Sequence, residues 1–175
     1  MSKAILSIDP GSAGYLCLRK EDGTFDFVAI EDCDLYTLSE IILQIKEEHK
    51  DIVCVVEDVH AVFGSSAKST FSFGMNVGYI RGVLAAAKIP YVTVAPKVWQ
   101  KCVWVNEDIV ATYKTIKVQN KEVSKKMINT KQTSIKCAKR LFPDIDFRKN
   151  ERCKKIHDGK CDSILINEYA RRYNL

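Results

Sequence analysis

The sequence predicts an α/β domain built on a five-stranded sheet of mixed direction. Three patterns lead there: five short apolar runs of strand length, turn-rich links between the first three, and segments of helical period between the later ones. At 175 residues, 46% hydrophobic and 28% charged, the chain suits one compact domain with enough apolar surface for a core. Its 8 Gly and 4 Pro exclude a low-complexity or disordered chain.

Ala4-Ile5-Leu6-Ser7-Ile8-Asp9 reads as a buried strand ending on a carboxylate, and Pro10-Gly11-Ser12-Ala13-Gly14 as the turn after it. Tyr15-Leu16-Cys17-Leu18 and, beyond the Asp22-Gly23 turn, residues 25–30 complete a meander, whose short links require antiparallel pairing. Apolar residues at 38, 41, 42 and 45 mark a helix over 38–49, followed by the all-apolar strand 52–57. A helix between strands makes a parallel crossover. Residues 66–88 place Gly74, Gly78 and Gly82 four apart, a spacing costly in helix propensity that implies close packing on the sheet or close approach to something else. Pro90 ends that segment, and Tyr91-Val92-Thr93-Val94 is the fifth strand. Helices over about 131–141 and about 158–173 follow.

Net charge is +5, but residues 97–155 hold 16 Lys+Arg against 6 Asp+Glu, a local +10, while the remainder balances to −5. Positive charge gathered in one block suits a polyanion, nucleic acid first, although a solvated lysine-rich insertion looks the same in sequence. The 7 cysteines are odd in number, form no CxxC pair and sit partly in apolar runs, as expected of reduced thiols in the cytoplasm. Cys153, His157 and Cys161 recur every four residues and would share a face if that stretch were helical, the weak outline of a metal site. No apolar run approaches the roughly 18–20 residues of a bilayer span, and the first residues lead into a strand, so no membrane partner is expected.

Asp9 and Glu57 close apolar strands, the place where open α/β sheets carry their sites, and an acid there requires exposure, a partner or a cation. Asp158 and Asp162 stand one turn apart on one face of the last helix, where they repel unless a divalent cation joins them. Singly, each has a plainer reading: a turn former, a strand end, a helix cap.

Together, Asp9-Pro10-Gly11-Ser12, Val55-Val56-Glu57-Asp58, Gly78-Tyr79-Ile80-Arg81-Gly82-Val83-Leu84, Val94-Ala95-Pro96-Lys97-Val98-Trp99 and the run from His157 to Ile166 resemble, in order and over nearly the whole chain, the RuvC-type Holliday junction resolvases. Phage and prophage members are the most similar in flavour. The resemblance implies a ribonuclease H-like fold with strand order 3-2-1-4-5 and strand 2 antiparallel, as a single nuclease domain over 1–175 with a basic insertion at about 101–130. It further implies a crossover junction endodeoxyribonuclease, homodimeric, with two Mg²⁺ per site and Mn²⁺ able to substitute, cutting branched DNA on two strands without a nucleotide cofactor.

Carried over by position, Asp9 would bridge both ions, and Glu57 and Asp162 would hold one each. The family's last two functional residues are commonly three apart, which lands on Gly159. Asp158, four back, keeps a carboxylate on the same face, with His157 as its neighbour. The resemblance places an aromatic wedge near His60 and Phe63. Lys125, Lys126, Lys131, Lys136, Lys139 and Arg140 would grip phosphates, and Lys160 would reach the scissile one. Actin-like ATPases and sugar kinases share the opening Asp-x-Gly-Ser but need two such domains. Other ribonuclease H-like nucleases and a non-catalytic junction-binding module are the remaining rivals; the module would not need all four acids.

Overall fold

The computed structural model describes residues 3–58, 66–118 and 121–175. Strands β1 (Ala4–Ile8), β2 (Tyr15–Arg19), β3 (Phe25–Ala29), β4 (Ile52–Glu57) and β5 (Tyr91–Val94) form one sheet in the order β3-β2-β1-β4-β5. β1–β2 and β2–β3 are antiparallel, while β1–β4 and β4–β5 are parallel, as the link lengths require. Helix α1 (Leu35–Glu48) crosses from β3 to β4. It begins three residues earlier than the apolar period shows, because the Asp34 carboxylate accepts from Thr37 N at 2.8 Å and caps it.

Alternation along β1 sorts its side chains to two cores. Leu6 and Ile8 meet Leu38 and Ile42 of α1 and Ile80 and Leu84 of α2 (Ala67–Ala86) on one face. On the other, Ile5 joins Val55, Trp99 of α3 (Pro96–Val103), Cys137 of α4 (Thr130–Leu141) and Ile164–Ile166 of α5 (Asp158–Arg172). Both faces of the sheet are therefore covered by helices.

α5 is held by a face of small and polar residues spaced four apart. Ser7 Oγ donates to Ser163 O at 2.8 Å, and Asn167 Nδ2 donates to Ile5 O at 2.8 Å. Gly159 lies so close to the β1–β2 turn that an added Cβ would collide with the Ala13 carbonyl oxygen. Gly14 is confined likewise, against the carbonyl of Asp9.

The structure decides two readings that the sequence left open and adds an element that the sequence did not announce. A methyl group added at Gly74, Gly78 or Gly82 would meet open space, so the glycine stripe of α2 faces away from the sheet, beside exposed Phe71 and Met75. The basic block contains α3 and an antiparallel ribbon, β6 (Ala111–Val118) and β7 (Lys121–Ile128), which its polar sequence does not announce. Finally, α5 begins only at Asp158, so Cys153 is off the helix while Cys161 is sealed in the core with its thiol pushed up to about 12; the Cys153/His157/Cys161 face does not form.

Gly159→Ala must force α5 off the turn, an overpacking cost of about 3 kcal/mol. Thermal unfolding should show Tm lowered by roughly 6–12 °C at this chain length. An unchanged Tm would refute the close approach.

Candidate active site

Because β1, β4 and β5 run parallel, Asp9 just past β1 and Glu57 at the tip of β4 emerge at the same edge of the sheet. The docking of α5 brings Asp158 and Asp162 to that edge. Asp9 Oδ1 accepts from Gly11 N at 3.1 Å, a local turn that aims the carboxylate. Glu57 is buried, and Trp99 Nε1 donates to its Oε1 at 2.8 Å. Asp162 Oδ1 is buried with no hydrogen-bond partner among the described residues. Asp158 is paired with Lys131 Nζ at 2.6 Å.

The cluster is electrostatically tense. Burial, and then the charge of Asp158, outweigh the Gly11 hydrogen bond and raise Asp9 to about 6. Burial and the neighbouring Asp9 raise Glu57 to about 7 against the pull of Trp99. Asp162 is raised well above the usual range by burial, with Asp9, Glu57 and Asp158 all adding, while the Ser134 hydroxyl pulls the other way. For Asp158 burial also acts upward, but the bond from Lys131 prevails and holds the carboxyl below its ordinary value. Lys131 senses Asp162 and Asp9 as well, so one ammonium faces three of the four acids.

No three His, Cys, Asp or Glu side chains among the described residues converge as a ready metal centre. The donors nevertheless fit a hard divalent cation: all are carboxylate oxygens, they repel one another, and one buried oxygen of Asp162 has no partner. His157, before α5, packs edge-on against Tyr15 at 4.8 Å between ring centroids, its Nδ1 buried without a partner among the described residues.

The basic candidates divide. Lys125, Lys126, Lys131 and Lys139 are exposed. Arg140 is committed to the fold: its Nε and Nη2 donate to the buried Asp108 carboxylate at 2.9 and 2.7 Å. Lys136 donates to Glu107 O. Lys160 donates to Asp146 O at 2.8 Å and lies 4.7 Å over the Phe27 ring, which accounts for it without a phosphate. His60 and Phe63 lie outside the described residues. A cleft of about 490 Å³, lined by Lys3, Arg19, Asp51 and Arg171 among others, contains none of the four acids.

The sequence reading gave no role to Trp99 or Ser134. Trp99 follows Pro96 at the start of α3, just past the carboxyl end of β5, and Ser134 stands one turn after Lys131; both placements are signals in retrospect.

Solved structures share this architecture. RuvC of Thermus thermophilus in complex with a Holliday junction substrate matches with a TM-score of 0.57 and 10% identity over 99% of this chain and 95% of its own. Another T. thermophilus RuvC structure gives 0.52 and 11% over 98% and 96%. The yeast mitochondrial Holliday junction resolvase gives 0.54 and 15% over 97% and 78%. At such identities the likeness establishes the fold, which is ribonuclease H-like with strand order 3-2-1-4-5. No family model and no curated protein matches the sequence.

A carboxyl with a higher pKa folded than unfolded is neutral in both states at low pH and costs stability once it ionises. In cation-free protein the cost of Asp9 should appear from about pH 4 and be complete above about 6, and that of Glu57 above about 7. Asp9→Asn removes its share, on the order of 3 kcal/mol, so in EDTA at pH 8 it should melt above the wild type and at pH 4 alongside it. A variant no more stable at pH 8 would contradict the tension described.

Proposed function

We propose that the protein is a divalent-metal-dependent endodeoxyribonuclease that resolves four-way DNA junctions by paired, symmetric hydrolysis. The observation that supports this reading is the electrostatic coupling of Asp9, Glu57, Asp158 and Asp162, from three separate elements, at the carboxyl edge of a ribonuclease H-like sheet, where one buried oxygen of Asp162 has no partner among the described residues. The junction-bound neighbour of the same fold supports the choice of substrate.

Asp9, Glu57, Asp158 and Asp162 would hold Mg²⁺, or Mn²⁺ in its place, in the two-ion arrangement expected from the sequence. Bound Mg²⁺ supplies an activated water and neutralises the leaving oxygen. The protein's own part is positional and electrostatic. Trp99 Nε1 holds one oxygen of Glu57 and would leave the other to a cation. Burial first, and neighbouring acids second, hold Asp9 and Glu57 toward protonation; a cation bound beside them would favour their ionised forms. Lys131 keeps Asp158 ionised and, displaced from it, stands within reach of a scissile phosphate. Lys125, Lys126 and Lys139 hold the flanking backbone, and His60 or Phe63 would serve as the wedge at the junction centre.

Paired incision requires two sites, hence a homodimer. The solvent-facing stripe of Gly74, Gly78 and Gly82 with Phe71 and Met75 is the surface on which a second copy would close.

Labelled four-way junction, linear duplex and RNA–DNA hybrid, each with Mg²⁺, decide the matter. Symmetric cuts in the junction are expected, and Asp9→Asn should lose several kcal/mol of transition-state stabilisation, on the order of 10³-fold in rate. Better cutting of the hybrid, or full activity in Asp9→Asn, would overturn the reading. In sedimentation, Gly78→Glu should shift the dimer to monomer and leave single, unpaired nicks.

A further inference from the structure

Among the described residues, the hydrogen bonds that tie the β6–β7 ribbon to the rest of the protein lie at its base. Asn129 N donates to Val110 O at 2.8 Å, and Val110 N donates to Thr133 Oγ1 at 3.1 Å. Beyond isolated contacts, no other described element packs on the two strands. Residues 111–115, 122 and 124–128 are exposed, including Tyr113 and Met127, so the described side chains of both faces are open to water. A two-stranded hairpin open to water on both sides is marginal by itself.

Its register worsens this. Lys114 stands directly opposite Lys125, and Tyr113 opposite Lys126. Directly opposed residues share a face, where like charges destabilise the pair. No described residue forms an ion pair with any of these three lysines. From 111 to 128 the sequence holds five Lys and one acid, Glu122. The opposed lysines cost the fold stability, whereas a polyanion laid on the ribbon would relieve the repulsion and pin the strands.

The base lies beside the acids. Asn129 Oδ1 caps α4 by accepting from Gln132 N at 3.1 Å, and Lys131, two residues on, is the partner of Asp158. Eight-residue strands give an arm about 26 Å long. That is most of a turn of B-DNA, whose major groove, about 12 Å wide, admits a two-stranded ribbon.

Resting on the nuclease reading above, we propose that β6–β7 is a duplex-binding arm, lying in the major groove of the double-helical arm beside the scissile phosphate. Lys114, Lys125 and Lys126 neutralise phosphates of the groove walls, and Tyr113 packs against the sugar edge. The arm makes recognition depend on a length of intact duplex beyond the cut, and it carries no base specificity.

The test is binding of uncut four-way junction in EDTA by wild type, by Lys114→Gln/Lys125→Gln/Lys126→Gln, and by a variant with residues 112–127 replaced by Gly-Asn-Gly. Far-UV circular dichroism reports folding. Should the replacement fail to fold, the triple variant, altered only at exposed side chains, still decides. The slope of log affinity against log salt should fall by about 3 in the triple variant, since each phosphate contact contributes about 0.9. Wild type should protect guanine N7 from dimethyl sulfate on one junction arm, over most of a helical turn, and both variants should lose that protection. Junctions whose arms are cut below about 8 base pairs should bind the wild type more weakly and the ribbon-less variant no differently. An unchanged slope and footprint in the variants, with the wild type cutting junctions normally, overturns the arm and leaves the nuclease reading standing. Loss confined to single-stranded DNA also overturns it. A wild type that neither binds nor cuts junctions removes both.

Discussion

The approach of α5 to the turn after β1 is the contact on which the site depends. Only a hydrogen at Gly159 lets the helix meet the Ala13 carbonyl, and only at that distance do the Ser163–Ser7 and Asn167–Ile5 bonds close. Those contacts fix the rotation of α5 as well as its distance, and thereby aim Asp162 at Asp9. They also seal Ile164, Leu165 and Ile166 against the second face of the sheet, each worth roughly 1.5–3 kcal/mol. Stability from that burial is what holds four carboxylates together against their repulsion.

The same contact explains where this chain departs from the spacing of the family it resembles. An acid at 159, three before Asp162, would drive its side chain into the β1–β2 turn. The carboxylate that the resemblance leads one to expect there would stand instead at 158, on the first turn of the helix, where Asp158 is half-buried and paired with Lys131. The price is asymmetry: Asp9, Glu57 and Asp162 are pushed toward protonation by burial, whereas Asp158 is held ionised by a lysine. On the nuclease reading proposed above, a site so divided would favour a cation at its buried end and offer a displaceable positive charge at its rim.

Much of this was legible because local chemistry agreed with the global fold. Apolar runs bounded by turns fixed β1 to β5, link lengths fixed their directions, and acids at strand ends marked Asp9 and Glu57 before any coordinates. What escaped was of two kinds. Trp99 reads as core in sequence and is core, yet its one polar atom orients Glu57, a role visible only across elements. Arg140 and Lys160 read as free cations because sequence shows charge and not partners; Asp108, and the carbonyls of Asp146 and Arg148, are far away along the chain or hidden in loops. The glycine stripe of α2 was ambiguous for the same reason: periodicity gives a face, while the sheet that either covers it or leaves it bare is a matter of tertiary placement.

The ribbon departs from that agreement between local pattern and fold. The described side chains of β6 and β7 are exposed on both faces, so burial among them does not select the register, and the opposed Lys114 and Lys125 work against it. Strands of this kind persist when something outside the chain completes them, and the chain places them where the α4 cap and Lys131 lead directly to the acids. The buried half of the molecule thus spends hydrophobic energy to confine negative charge, while the exposed ribbon confines positive charge at a cost to itself. Both tensions are of the sign that a metal-bearing phosphodiester backbone would relieve, the cation at the acids and the phosphates along the arm, so one ligand would discharge two opposite strains built into one short chain.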